Sequence, residues 1–200
     1  MKVDKLMNNN QPTDSFTRIT EECRKKYPMH LVDIHPQEWV IDCGCNVGEF
    51  PAAFGDKFHA IMGIDASSYN INQFQKHHHH PTMHKGLWKT DGEILKLKKY
   101  MGNVDDEYEE VETMSLETLI SKVGDIGLLK VDIEGAEFEF LLDKDLSRIK
   151  WITGEFHNWL FQTASYGIDL LEYIGETHEE VYSHGDGHTS HYIKLWKRRF

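Results

Sequence analysis

The chain of 200 residues carries 22 basic and 33 acidic side chains, a net charge of −11, with 40% hydrophobic and 28% charged residues. That is the composition of a soluble globular chain long enough for a real core, and its acidity weighs against a nucleic-acid partner, which wants a basic surface. Cys23, Cys43 and Cys45 make no disulfide framework, the first residues hold no apolar leader, and no segment approaches a membrane span, so a cytoplasmic protein with no membrane partner is expected.

Residues 1–13 are polar and read as a frayed end. Asp14 to Tyr27 reads as a helix, capped by Asp14 or Ser15, striped by Phe16 and Ile19 and ended by Pro28. With the loop to Glu38 it forms an N-terminal helical segment, residues 1–38, of the same domain as residues 39–200. Trp39–Asp42 is a short, continuously apolar run, the pattern of a parallel strand covered on both faces. A helix over Glu49–Lys57 follows, then a strand over His59–Asp65, a helix from Ser67 to Lys76 and a third strand over Thr82–Trp88. Thr90-Asp91-Gly92 reads as a turn into Glu93–Lys98, and the acidic stretch Gly102–Glu110 as a loop. Ser115 caps a helix over Leu116–Val123. Ile126–Asp132 is a strand, Ala136–Leu142 a helix, Ile149–His157 a strand, and Asp169–Ile174 lies in a helix. Glu180–Ser183 and His191–Trp196 read as two strands joined by a linker around His184-Gly185-Asp186-Gly187. Alternating strands and helices imply a parallel sheet with helices on both faces, and the terminal hairpin places an antiparallel strand at its far edge.

The chemistry concentrates at Val40–Phe50, VIDCGCNVGEF. The pattern says strand, tight glycine turn, helix, with Gly44 and Gly48 allowing backbone to turn sharply and approach a ligand. A dinucleotide-binding turn reads G-x-G-x-x-G and embraces a pyrophosphate. Here the turn is D-x-G-x-N-x-G, with Asn46 at the middle glycine's place. Asp42 at the strand tip would repel phosphates and suit a sulfonium, which points to S-adenosylmethionine rather than NAD. Asp65 ends the second strand, where an acid can accept both hydroxyls of a ribose, a group common to both cofactors. Since ligands of such sheets bind outside the carboxyl ends of the strands, Asp42, Asp65, Asp132 and the pair Glu155/His157 are expected to line one cation-friendly crevice.

Several conspicuous residues have plainer readings. Cys43 and Cys45 are small side chains packing beneath a ligand loop, rather than a redox or metal pair. The run His77–His80, with His84 nearby, reads as a solvated loop, and His184, His188 and His191 as part of a flexible turn. The basic tail Lys194–Arg199 reads as a solvated edge rather than a phosphate site. Oligomeric state has no signature in the chain.

The D-x-G-x-N-x-G turn, the acid at Asp65, the S-L-E-T-L-I block at Ser115–Ile120, the segment L-K-V-D-I-E-G-A-E-F-E-F-L from Leu129 and the late G-E-F-H at Gly154–His157 together resemble the FkbM-type S-adenosylmethionine-dependent methyltransferases over about Val40 to Asn158. The resemblance implies a class I methyltransferase (Rossmann-like) three-layer sandwich. Its sheet would be mostly parallel and seven-stranded, with a C-terminal antiparallel hairpin whose last strand inserts beside the fifth. It implies that Asp42, Gly44, Asn46 and Gly48 hold the methionine part of the cofactor, Asp65 the ribose, and Leu87 and Trp88 the adenine, with Asp132 near the reactive methyl. It further implies O-methylation, the acceptor being a hydroxyl of a sugar or other small metabolite. Such an acceptor must lose a proton. His157 is the first candidate base, because imidazole suits neutral pH, and Asp132 the second. Asp132, Glu155 and His157 also form an oxygen-rich set suited to Mg²⁺ or Mn²⁺. Glu134 and Glu137 fall where acids favour a helix start. Asn158, Trp159 and His35 are the side chains suited to line a sugar-sized pocket. Two other readings stand beside this one. An NAD(P)-dependent oxidoreductase on a similar sheet lacks support from G-x-G-x-x-G or a tyrosine–lysine pair. A module that binds the cofactor without transferring its methyl group is the other.

Overall fold

The computed structural model describes residues 14–98, 108–157, 165–184 and 191–199. In chain order the elements are α1 (Asp14–Lys26), β1 (Trp39–Cys43), α2 (Glu49–Phe54), β2 (Ile61–Asp65), α3 (Ser68–His77), β3 (Thr82–His84), β4 (Gly86–Leu87), β5 (Ile94–Lys98), β6 (Tyr108–Met114), α4 (Leu116–Val123), β7 (Ile126–Val131), α5 (Glu137–Leu141), β8 (Ile149–His157), α6 (Ser165–Thr177), β9 (His178–His184) and β10 (His191–Arg198). Seven strands form one sheet in the order β3-β2-β1-β7-β8-β10-β9. The first five run parallel, and β10 runs antiparallel to both β8 and β9. The antiparallel strand is therefore not at the edge, where the hairpin alone would put it. It is inserted beside the fifth strand of the sheet, and β9 takes the edge.

Side-chain alternation along the strands divides the core in two. Ile41, Cys43, Leu129, Val131 and Ile152 face α4, α5 and α6 and pack on Leu119, Phe140 and Ile174. Val40, Leu128 and Trp151 face the other way, onto Cys23 and Tyr27 of the α1 segment and Phe50 of α2. Two serines start helices as expected: Ser67 Oγ accepts from Asn70 N, and Ser115 Oγ from Thr118 N. Each such cap contributes about 1 kcal/mol.

Two expectations are corrected here. The run Thr82–Trp88 is not one strand. Lys85 N–H turns back to the Asp65 carbonyl at 3.1 Å, and the chain leaves the main sheet there. Gly86–Leu87 then pairs with β6 in a separate three-stranded sheet, β4-β6-β5. The acidic stretch read as a loop also ends early. Residues 101–107 lie outside the described residues, but Tyr108 already belongs to β6. Glutamates are tolerable in this strand because β5 brings lysines opposite, with Lys96 facing Glu110 at 3.6 Å. The expected fraying of residues 1–13 and the linker at 185–187 also lie outside the described residues.

One feature of the sheet interior is polar. Asp42 on β1 and Lys130 on β7 are register partners on the α1–α2 face, and Lys130 Nζ lies 2.9 Å from Asp42 Oδ1. Both are buried. Burial alone would lower the lysine pKa, but Asp42 and Asp132 outweigh it and hold the ammonium above its ordinary value. Lys130 also donates to the Gly44 carbonyl at 2.8 Å. Removing one member of such a pair leaves an uncompensated buried charge. Lys130→Met is expected to cost about 3–5 kcal/mol in chemical denaturation, and Asp42→Leu/Lys130→Met to recover most of that loss.

Candidate functional site

At the carboxyl ends of β1, β2 and β7 lies a cleft of about 1220 Å³. Its floor is the turn after β1. Gly44 has φ +72, and a Cβ there would come within 1.8 Å of the Asp132 carbonyl oxygen, so only glycine lets β1 and β7 end so close together. Asn46 follows at φ 46, a left-handed conformation that asparagine tolerates. Its N–H donates to Asp65 Oδ2 at 2.9 Å, while Asp65 Oδ1 accepts from Ser67 N at 2.8 Å and Asn70 Nδ2 at 3.1 Å. Asp65 is thus fixed in orientation at the cleft wall before any ligand arrives.

The cleft brings together Gly44, Asn46, Asp65, Leu87, Trp88 and Asp132. Four residues expected with them, Asp42, Gly48, Glu155 and His157, are not in its lining. Asp42 is fully buried beneath the turn, where it faces Lys130, so it does not line the cleft. Gly48 is also absent from the lining. A Cβ on it would meet the His78 ring at 2.4 Å, so this glycine makes room for the chain's own imidazole.

Among the described residues six carboxylates line the cleft, from Glu49, Asp65, Glu109, Asp132, Glu134 and Glu139, against two lysines, Lys85 and Lys98. Glu49 was not legible as a site residue. Its Oε1 accepts from Asn46 Nδ2 at 3.3 Å, and its Oε2 is buried with no hydrogen-bond partner among the described residues. Leu87 and Trp88, with Leu95 and Leu97 of β5, add apolar lining to the cleft.

The KVDIEGAE segment has a role for most of its side chains. Glu134 (φ 55) and Gly135 (φ 100) make the turn between β7 and α5. Glu137 Oε1 accepts from Ile133 N at 3.0 Å, Gly135 N at 3.2 Å and His157 Nδ1 at 3.0 Å, so one buried carboxylate fixes both the turn and the imidazole. His157 is 6% exposed, and its Nε2 lies 3.7 Å from Glu134 Oε2. Burial alone would lower the His157 pKa. The bond from Glu137 and the charges of Glu137, Asp132 and Glu134 outweigh it and hold the imidazole above its ordinary value. Glu134 and Asp132, but not His157, are among the cleft-lining residues.

Asp132, Glu155 and His157 converge as expected, with one ligand atom of each within 4.8 Å of the others. The chain supplies its own cation there. Lys26 Nζ lies 2.8 Å from Asp132 Oδ2 and donates to Glu155 Oε2, and Tyr27 Oη donates to the same Asp132 oxygen at 2.9 Å. Burial alone would raise the Asp132 carboxyl, but Lys130 and Lys26, with the hydrogen bonds from Lys26 and Tyr27, hold it below the usual carboxylate range. Neither Lys26 nor Tyr27 could be assigned from the sequence, since no spacing motif links them to residues more than a hundred positions away.

The remaining candidates resolve simply. Burial pushes the Cys43 and Cys45 thiols well up, as suits packing residues. The histidine run is only in part the solvated loop expected: His77 and His79 are exposed, but His77 stacks on Phe16 at 5.0 Å, and His78 packs on Phe74 at 5.1 Å and against Gly48. Lys194 pairs with Glu180. His35 bonds within its own loop and does not line the cleft, and Asn158 and Trp159 lie outside the described residues. Among the described residues no helix is long and apolar enough to cross a membrane.

The strand order with its inserted antiparallel strand is that of the class I methyltransferases. An rRNA methylase from Streptococcus thermophilus superposes with a TM-score of 0.52 at 10% identity, over 94% of this chain and 98% of its own. A ribosomal protein L11 methylase from Lactobacillus delbrueckii subsp. bulgaricus gives 0.53 at 10% identity, over 100% and 91%. TrmK of M. capricolum, bound to S-adenosyl-homocysteine, gives 0.51 at 10% identity, over 94% and 69%. Identities this low show the shared fold alone. No curated protein sequence matches significantly. The sequence family is decided by another comparison: the methyltransferase FkbM domain matches residues 66–185, more than half of the chain, and the protein belongs to that family. The match begins just after Asp65, so the glycine turn and α1 lie outside it.

The packing of His78 has a measurable consequence. Burial, reinforced by His80, pulls its pKa down to about 4. The unfolded chain takes up this proton near 6.5, so the stability contributed by neutral His78 is complete above about pH 6.5 and is lost as pH falls toward about 4. Thermal melts between pH 7 and 4 are expected to show a steeper loss for the wild type than for His78→Gln. Equal slopes would contradict the burial of a neutral ring.

Proposed function

We propose that the cleft binds S-adenosylmethionine and that the protein methylates a hydroxyl on a sugar or another small metabolite. The observation that carries the cofactor assignment is the charge of the lining, six carboxylates against two lysines among the described residues. A sulfonium and an ammonium are favoured there, while the pyrophosphate of NAD(P) would meet like charge. The residues fit the parts of the cofactor. Asp65, already oriented by two backbone N–H groups, would hold the ribose. The Glu49 carboxylate would take the ammonium of the amino-acid end, in the lining it shares with Gly44 and Asn46. Leu87 and Trp88 would flank the adenine. The cofactor supplies an electrophilic methyl group; the protein must orient the acceptor and remove its proton.

Two groups divide that work. Asp132, held low by two ammonium groups, stays ionised and accepts a hydrogen bond from the acceptor hydroxyl without taking the proton. His157 is the candidate base, with Glu137, Asp132 and Glu134 outweighing burial to raise its proton affinity above that of an ordinary imidazole. Its Nδ1–H donates to Glu137, which aims Nε2 at Glu134, and Glu134 lines the cleft. Glu134 Oε2 lies 3.7 Å from His157 Nε2, beyond hydrogen-bond distance, so a proton would pass between them only once the exposed Glu134 side chain moves closer. A hydroxyl acceptor is favoured because this arrangement removes a proton.

Calorimetry is expected to show saturable one-to-one binding of S-adenosylhomocysteine and none of NADH. Asp65→Asn should weaken binding by roughly 10- to 100-fold, the scale of a charge-assisted hydrogen bond. His157→Gln should leave that affinity within about twofold and lower methyl transfer to a panel of sugars, polyols and phenols by about 10²- to 10⁴-fold. NADH binding in place of the thioether would overturn the assignment.

A further inference from the structure

We infer that Lys26 is a tethered cation standing where a divalent ion would otherwise sit among Asp132, Glu155 and His157, so that the site is completed by the N-terminal helix rather than by a metal. The inference concerns the same site as the proposed methyl transfer, and rests on that reading only for its catalytic meaning.

The acidic cluster has the spacing of a hard-cation site, with its ligand atoms within 4.8 Å of one another. Among the described residues no other group of three or more His, Cys, Asp or Glu side chains meets that spacing. Acids so arranged repel one another unless something positive stands between them. Here Lys26 does, with hydrogen bonds to one oxygen of Asp132 and one of Glu155. Its side chain is 29% exposed, those of Asp132 and Glu155 17% and 14%, so water screens the contact only in part.

The lysine is not a loose surface group that falls into the cluster by chance. Alternation puts Lys130, Asp132 and Glu155 on the sheet face that α1 covers. Tyr27, next in the chain, is 3% exposed, packs edge-on to Phe50 at 6.0 Å between ring centres, and donates to the same Asp132 oxygen as Lys26. Arg24, one turn earlier, holds the carbonyls of Ala52 and Ala53 at the end of α2. α1 is thereby fixed on α2, and its last residue is delivered to the cluster at a defined place.

Charge gives the arrangement its consequence. Two carboxylates against one ammonium leave a single negative charge beside the cleft, the complement of one sulfonium. Without the ammonium the charge is doubled, which is the valence of Mg²⁺ or Mn²⁺. Lys26 is in this sense a positioning residue: it acts through Asp132 and Glu155, fixing the place of both carboxylates by its hydrogen bonds.

The test is Mn²⁺ binding to the full chain, followed by electron paramagnetic resonance. Wild type is expected to bind no Mn²⁺ at this cluster. Lys26→Ala should gain one site with affinity higher by about 100-fold or more, as one removed charge at contact distance implies, and Lys26→Ala/Glu155→Gln should lose it. Mn²⁺ should raise the melting temperature of Lys26→Ala and leave that of the wild type unchanged, a rescue that a merely structural lysine would not show. Lys26→Gln, which keeps most of the stem, gives the same readout if the alanine variant folds poorly. Mn²⁺ bound by the wild type and lost in Glu155→Gln would overturn the inference, as would folded Lys26 variants that gain no site. S-adenosylhomocysteine calorimetry on the same samples separates this outcome from any failure of the cofactor assignment.

Discussion

The site depends on the buried pair between Asp42 and Lys130. Each lies in an otherwise apolar strand, and their register places them side by side between β1 and β7. Lys130 reaches past Asp42 to the Gly44 carbonyl, so the same ammonium that neutralises the strand interior also holds the turn above it. The Asp132 N–H bonds to the Cys43 carbonyl at 3.1 Å, and Gly44 has no Cβ to keep the two chains apart. The floor of the cleft and the acid beside it are therefore set by one interaction in the core. Buried ion pairs contribute little net stability compared with apolar side chains of equal volume. Here the pair contributes position, since an apolar replacement would leave the turn without its donor.

Charges in this region divide into those spent on the protein and those left for a ligand. Asp42 is spent on Lys130, Glu137 on the Ile133–Gly135 turn and His157, and Asp132 and Glu155 on Lys26. Asp65 is oriented by backbone N–H groups, and Glu49 keeps one oxygen without a donor. Glu139 is further paired with Lys89, and the acids left toward the cleft, Glu49 and Asp65, suit a cationic methyl donor.

Much of the sheet was legible, because an apolar run ending in an acid marks a buried parallel strand, and β8 spans the residues its pattern indicates. Asp42 reads in the sequence as a strand-tip acid, but its register partner is Lys130, two residues before Asp132, so it lies deeper in the sheet than the acid that lines the cleft. A lysine in the run IGLLKV was the available signal, since a charge inside a buried strand requires a partner. β6 was hidden because YEEVETM looks solvated until β5 supplies lysines across from it. The glycines were recognised, but the close approach that requires them is to the Asp132 carbonyl and the His78 ring. Lys26 and Tyr27 were invisible as site residues, since only tertiary packing brings the end of α1 to Asp132.

The most direct test of the account is a crystal structure with S-adenosylhomocysteine bound. The ribose is expected on Asp65, the ammonium on Glu49, and the sulfur turned toward Asp132 with Lys26 still seated between Asp132 and Glu155. A ligand whose sulfur points away from Asp132, or that leaves the acidic cleft altogether, would contradict it.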